Sequence, residues 1–156
     1  MPISIRKPDD PPGGNRVTLM RFKVPVGVRE PVARMQLIHQ LCVDARREPA
    51  IEHTDAIAAA LNLLPRRAVG SMLKHVDFLA SNVPGIGMPV FLAGAGVTEW
   101  YAFGPTIGAA LNATLVSYNG RCYVGLNVDT GAIPDGAAML ECMREGFDEV
   151  LQLASP

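Results

Sequence analysis

Charge is scarce in this chain. Only 19% of its 156 residues are Asp, Glu, Lys or Arg, below the ~25% usual for soluble domains. The 14 basic and 15 acidic residues are interspersed and leave a formal net charge of −1. No basic run with interleaved aromatics occurs, so nucleic-acid binding has no support. Cys42, Cys122 and Cys142 are odd in number and far apart, without CxxC or Cys/His ligand spacing. That excludes structural zinc and a disulfide framework, and buried reduced thiols in a cytosolic protein are expected. No metal site is expected. The histidines stand singly at His39, His53 and His75. A Gly-x-Ser-x-Gly elbow and a P-loop are both missing. Gly94-Ala95-Gly96 lacks the third glycine of a dinucleotide fingerprint and reads as a turn or bulge between strands. Nowhere do ~20 apolar residues run together, so no spanning helix is expected. Met1-Pro2-Ile3-Ser4-Ile5-Arg6 has no apolar core of a signal peptide.

Apolar residues are plentiful, at 49%. A chain of this length suits one domain, over 1–156, burying roughly 70% of the surface its unfolded form exposes. Two readings of the apolar excess stay open. One is a well-filled core under a sparsely charged surface; the other is an apolar face meant for a partner or a lipid.

Residues 3–6 read as a short strand, and the proline- and glycine-rich residues 7–14 as an exposed connector. Alternation predicts a strand over 17–26, with Thr18, Met20, Phe22, Val24 and Val26 on one face and Arg21 and Lys23 on the other. Pro31 opens a helix at its first turn, with an apolar stripe of Val32, Met35, Ile38, Cys42 and Ala45. Arg46-Arg47 suits its C-terminal end. Further helices are expected over 54–64 and 66–75, the second carrying Arg66-Arg67 and Gly70-Ser71. His75-x-Asp77 imitates a base with its orienting carboxylate, but a capping role at a helix end fits better. Strands are then expected over 78–83, 89–93 and 97–103. Two more, over 111–118 and 121–129, flank Asn119-Gly120, a strong hairpin signal because both turn positions tolerate φ > 0. In that hairpin Ala113, Leu115, Cys122, Val124, Leu126 and Val128 are candidates for an inward face, with Asn112 and Thr114 pointing the other way. A last helix over 135–154 has Asp135 as N-cap and a stripe of Leu140, Met143, Phe147, Val150 and Ala154. The order predicts an α+β (mixed α/β) fold, a mostly antiparallel sheet packed by about four helices.

Ser81-Asn82-Val83-Pro84-Gly85 is the most informative stretch. Pro84 cannot donate to a ladder and Gly85 accepts the φ > 0 that a sharp turn needs, so Ser81 and Asn82 lie at a strand end beside a rigid corner. The same order of features continues through Phe91-Leu92-Ala93-Gly94-Ala95, Tyr101-Ala102-Phe103-Gly104-Pro105, Leu111-Asn112-Ala113-Thr114-Leu115, Ser117-Tyr118-Asn119-Gly120-Arg121 and Ile133-Pro134-Asp135. With Asn15-Arg16-Val17-Thr18-Leu19 near the start, this set resembles the C-terminal domain of the bacterial wax ester synthase/diacylglycerol acyltransferase family, over nearly the whole chain.

The resemblance implies one lobe of a chloramphenicol acetyltransferase-like fold. It implies an O-acyltransferase that moves a fatty acyl group from acyl-coenzyme A, its substrate, to diacylglycerol or a long-chain alcohol, with no resident cofactor. Such enzymes react in a channel between two lobes, where a histidine base takes the proton of the acceptor hydroxyl. The family's His-His-x-x-x-Asp-Gly motif belongs to the N-terminal lobe and is absent here, so no catalytic residue is assigned to this chain. It is expected to partner a lobe carrying that motif, in cis or in trans, and to have little activity alone. Ser81, Asn82, Pro84 and Gly85 are expected to line the channel, and Tyr101, Gly104, Pro105 and Asn112 to lie near it or the lobe interface. The alternative for Asn82 is that it merely satisfies buried backbone. The alternative for the whole chain is a non-catalytic module that binds lipid or protein and forms a homodimer through an apolar face. Either way a cytoplasmic location is expected, peripheral to a membrane or lipid droplet at most.

Overall fold

A computed structural model describes residues 1–6, 9–11, 16–51, 53, 59 and 76–154. The helices expected over 54–64 and 66–75, with His75, and most of the connector over 7–14 lie outside the described residues. The chain divides into two compact units, residues 1–65 with 137–156 and residues 66–136. The fold class is the mixed α/β expected.

In the first unit β1 (Pro2–Ser4) pairs antiparallel with β2 (Val17–Leu19). Met20 N–H donates to the Met1 carbonyl at 2.9 Å and continues the pairing by one residue. The strand expected over 17–26 is therefore shorter, although its alternation holds from Thr18 to Val24. Met20 is buried, Phe22 and Val24 are half-buried, and Arg21 and Lys23 are exposed. Val26 breaks the pattern at 95% exposure, just past Pro25, which cannot extend a ladder.

Helix α1 (Pro31–Arg46) starts at Pro31 as expected. Glu30 caps it, its carboxylate accepting from Val32 N–H at 3.0 Å and Ala33 N–H at 2.5 Å. Acidic charge at a helix start also complements the macrodipole. The sheltered stripe is rotated from the one expected: Val32 and Met35 are exposed, while Arg34, Ile38, Leu41, Cys42 and Ala45 are half-buried. Arg34 turns inward because its guanidinium pairs with Glu149 of α2 (Gly136–Leu153) and reaches the Val28 carbonyl. Glu149 shifts the α2 stripe likewise. Gly136, Met139, Met143, Gly146 and Glu149 are half-buried, while Leu140, Phe147 and Val150 are exposed. Long charged side chains bury their stems along apolar surface and pair at the tip, so apolar spacing alone misplaces such a face.

The second unit is built on a three-stranded sheet in the order β3-β6-β7: β3 (Phe78–Val83), β6 (Leu111–Tyr118) and β7 (Arg121–Val128). β6 and β7 form the hairpin expected at Asn119-Gly120, with φ of 47° and 76° at the turn. The β3–β6 pairing is parallel. Parallel neighbours need a crossover, and residues 84–110 supply it. Within the crossover, β4 (Phe91–Leu92) and β5 (Ala95–Gly96) make a minimal hairpin over Ala93-Gly94, one residue before the turn expected at Gly94-Ala95-Gly96, so Ala95 and Gly96 are strand and the strand expected over 89–93 is shorter. Residues 97–103 form no strand, contrary to expectation; at their start, tyrosine hydroxyls of the sheet bond the Val97 and Thr98 carbonyls in place of a ladder.

Two-residue alternation separates the sheet's faces as the hairpin pattern predicted, but their depths are reversed. Asn112, Thr114, Val116 and Tyr118 are the buried set on β6, and Tyr123 and Gly125 on β7, beneath the crossover. Ala113, Leu115, Val124, Leu126 and Val128 are only half-buried, and Cys122 is exposed beside the turn. The cysteines depart from the buried thiols expected: all three are free, Cys42 is half-buried, and Cys122 and Cys142 are exposed.

Candidate functional site

The crossover is fastened to the sheet by a row of side chains rather than by strand pairing. Tyr118 carries the centre. Its Oη accepts from Val90 N–H and donates to the Val97 carbonyl, both at 2.9 Å. Those two residues are also joined by a Val97 N–H to Val90 carbonyl bond of 2.9 Å. Tyr123 Oη donates to the Thr98 carbonyl at 3.2 Å. Farther along, Asn127 Nδ2 donates to the Gly104 carbonyl and Asn112 Nδ2 to the Pro105 carbonyl, each at 2.8 Å. Thr114 Oγ1 donates to Asn112 Oδ1 at 2.9 Å, so both ends of the buried amide are bonded.

Two glycines let the backbones meet. A Cβ at Gly125 would fall 2.0 Å from the Ala102 carbonyl oxygen, and one at Gly104 would fall 2.7 Å from Asn112 Nδ2. The structure therefore brings together three of the residues singled out in sequence, Gly104, Pro105 and Asn112. Tyr101 lies beside them, edge-on to Tyr123 with ring centroids 5.2 Å apart. The Glu99 carboxylate holds the Tyr101 phenol above the usual tyrosine range. Thr114, Asn127, Tyr118 and Tyr123 complete the arrangement, and sequence reasoning gave none of them a site role. Alternation from Asn112 reaches Thr114, and the Asn119-Gly120 turn sets Asn127 opposite Asn112.

At the other end of the crossover, β3 stops at Val83, just before Pro84-Gly85 as expected. The need for glycine at 85 differs from the one expected. Gly85 is not at positive φ; instead a Cβ there would lie 1.6 Å from the Ser117 carbonyl oxygen. Gly85 N–H donates to Ser117 Oγ at 3.1 Å, and Asn119 N–H to the Ile86 carbonyl at 2.9 Å, so the corner is bonded to the end of β6. Ser81 and Asn82 do not share a wall. Ser81 is half-buried at the register position of Thr114, on the crossover face, whereas Asn82 is exposed on the opposite face beside Leu115.

Outward, the crossover presents apolar side chains. Met88, Phe91, Leu92 and Phe103 are all more than 60% exposed, and Tyr101 is 49% exposed. No charged residue occurs from Asn82 to Thr98. Among the described residues no group of acidic, histidine and cysteine side chains is placed to hold a metal, and no helix is long and apolar enough to cross a membrane.

The family profile of the WS/DGAT C-terminal domain matches residues 13–151. A putative diacylglycerol O-acyltransferase of Mycobacterium tuberculosis is 35% identical over 157 residues, covering 99% of this chain and 32% of the relative. A probable diacylglycerol O-acyltransferase of the same organism is 26% identical over 149 residues, covering 90% of this chain and 32% of its own length. The solved wax ester synthase/diacylglycerol acyltransferase of Marinobacter aquaeolei superposes with a TM-score of 0.61 at 27% identity, over 84% of this chain and 34% of that one. The chain thus spans about a third of the length of the relatives it matches. With the crossover, its corner and its fastenings in place, the match over 13–151 assigns the chain to the WS/DGAT C-terminal domain family.

Proposed function

We propose that this chain serves as the C-terminal lobe of an O-acyltransferase that transfers a fatty acyl group from acyl-coenzyme A to diacylglycerol or a long-chain alcohol. The match to the family's C-terminal domain over residues 13–151 carries this reading. The base is supplied by a lobe bearing His-His-x-x-x-Asp-Gly, in cis or in trans. In the reaction the acceptor oxygen attacks the thioester carbonyl carbon, and its proton passes to that histidine. The C–S bond then breaks, and the thiolate leaves with the proton. This chain supplies channel wall and lobe interface.

Asn82 is the better donor candidate for the oxyanion, because its amide is exposed at a strand end beside a bonded corner, whereas Ser81 is half-buried toward Thr114. Removing an oxyanion donor costs about 3 kcal/mol, roughly a hundredfold in kcat. Asn82→Ala in a two-lobe enzyme is expected to show that loss, and unchanged turnover refutes the role.

The exposed Met88, Phe91, Leu92 and Phe103 favour a second reading, a non-catalytic module that self-associates or binds lipid through this face. Co-purification with a histidine-bearing lobe supports the first reading. A stable homodimer retaining fatty acyl ligand, indifferent to such a lobe, supports the second.

A further inference from the structure

The row of side-chain bonds ends in an arrangement the rest of the crossover lacks. Asn112 and Asn127 are directly paired across β6 and β7. Their amides donate to two consecutive carbonyls, Pro105 and Gly104, each at 2.8 Å. Thr114 Oγ1 donates to Asn112 Oδ1, and the Pro105 carbonyl, which can only accept, fixes the amide's orientation, because a flip would set Oδ1 against that oxygen. Asn112 and Thr114 are 6% and 5% exposed, and buried polar groups of this kind specify one geometry at the cost of desolvation.

What they hold is a partly exposed row. Ala102 and Gly104 are half-buried, while Tyr101 and Phe103 each rest one edge on β7, Tyr101 against the Tyr123 ring and Phe103 against Gly125, and expose the rest of their rings. Past Thr106, Ile107 lies at φ 51° with its side chain 47% exposed. A β-branched residue in the left-handed region is strained, and strain of this sort persists only where the surroundings dictate it.

We infer that Asn112, Thr114 and Asn127 are positioning residues that set the Tyr101–Phe103–Ile107 row as the wall against which the acyl chain lies. The row is apolar and exposed, fitting a fatty acyl chain, and the polar bonds behind it set its height above the sheet. The substrate half of this inference rests on the acyltransferase reading; the clamp itself does not.

The chain's single tryptophan, Trp100, lies at the edge of the held segment, its ring centroid 5.9 Å from Tyr118. It reports on the clamp in the chain alone. Thr114→Val removes the hydroxyl that bonds Asn112 Oδ1 while keeping shape, and Asn127→Asp removes the second amide donor at an exposed position. Each is expected to shift Trp100 emission to the red and steepen its quenching by acrylamide, with Thr114→Ser restoring both. In the chain joined to or mixed with a histidine-bearing lobe, the same variants are expected to raise KM for a long-chain acyl-coenzyme A about tenfold with kcat nearly kept, because a wall binds ground and transition states alike. A merely structural role lowers the melting temperature and leaves KM alone.

Folded variants with unchanged Trp100 behaviour overturn the clamp. A freed Trp100 with unchanged KM overturns the wall and leaves the acyltransferase reading intact. A wild-type pair that transfers no acyl group sinks that reading and the wall with it, and the clamp then stands or falls on Trp100.

Discussion

Gly85 and Gly87 stand two residues apart in the same uncharged segment, and the structure predicts opposite outcomes for adding one methyl to each. At Gly85 the new Cβ would lie 1.6 Å from the Ser117 carbonyl oxygen and 2.8 Å from its carbon. Both are backbone atoms of β6, so relief requires the corner or the strand to move. Overpacking of this kind costs about 1–3 kcal/mol. The shift also stretches the Gly85 N–H to Ser117 Oγ bond of 3.1 Å and the Asn119 N–H to Ile86 carbonyl bond of 2.9 Å, each worth ~0.5–1.5 kcal/mol. Against this, alanine restricts the unfolded chain and returns about 0.4–1 kcal/mol. The net expectation for Gly85→Ala is a destabilisation of about 2–3 kcal/mol, a fall in Tm of roughly 4–12 °C for a chain of this size. At Gly87 nothing lies within 4 Å of the added atom, so Gly87→Ala keeps only the entropy gain and raises stability by up to ~1 kcal/mol. Urea unfolding of the two variants beside the wild type measures both signs. A Gly85→Ala chain as stable as the wild type refutes the packed corner, and equal losses at both glycines refute the reasoning that separates them.

Three further outcomes follow from the same geometry. Tyr118→Phe removes a hydroxyl that serves two backbone groups at 2.9 Å, and is expected to cost about 1–3 kcal/mol in urea unfolding. Tyr123→Phe, which loses one bond of 3.2 Å, is expected to cost less. Ile107→Gly relieves a left-handed β-branched residue, and a gain of about 0.5–1 kcal/mol is expected in thermal melts, together with a higher KM for acyl donor if the side chain lines the wall. The Glu99 carboxylate raises the Tyr101 pKa, so Glu99→Gln is expected to move that titration downward, as read from phenolate absorbance. The sign for stability follows: with the folded-state phenol held neutral, the unfolded chain releases its proton first, and the contribution is lost as pH rises above about 10.

Much of the sheet was legible from local chemistry. Asn119-Gly120 demanded a hairpin, and strict alternation from Leu111 divided its residues between two faces. The strand ending at Val83 followed from Pro84. What alternation cannot say is which face another segment will cover. The polar Asn112/Thr114 face is the deeper one because residues 84–110 lie over it and satisfy those groups. The strand expected over 97–103 failed for a related reason: its apolar, alternating residues match a strand, but the Tyr118 and Tyr123 hydroxyls take the Val97 and Thr98 carbonyls at its start. On the helices, Arg34 and Glu149 turned the sheltered faces by pairing with each other, a partnership that no local period encodes. Within the candidate site, Gly104, Pro105 and Asn112 come together as one cluster. Ser81 and Asn82 part, as any two successive residues of a strand must. Asn127 was within reach of the sequence, because a two-residue turn at 119–120 fixes its register opposite Asn112.

Under the proposed function this chain is the lobe that lacks the histidine base of an acyl-transferring pair. Radiolabelled acyl-coenzyme A and a long-chain alcohol or diacylglycerol, incubated with the purified chain, with a His-His-x-x-x-Asp-Gly lobe, and with both, test it most directly. Labelled ester formed only when both are present is the predicted result. Ester formed by this chain alone, and abolished by substituting one of its own histidines, would contradict it.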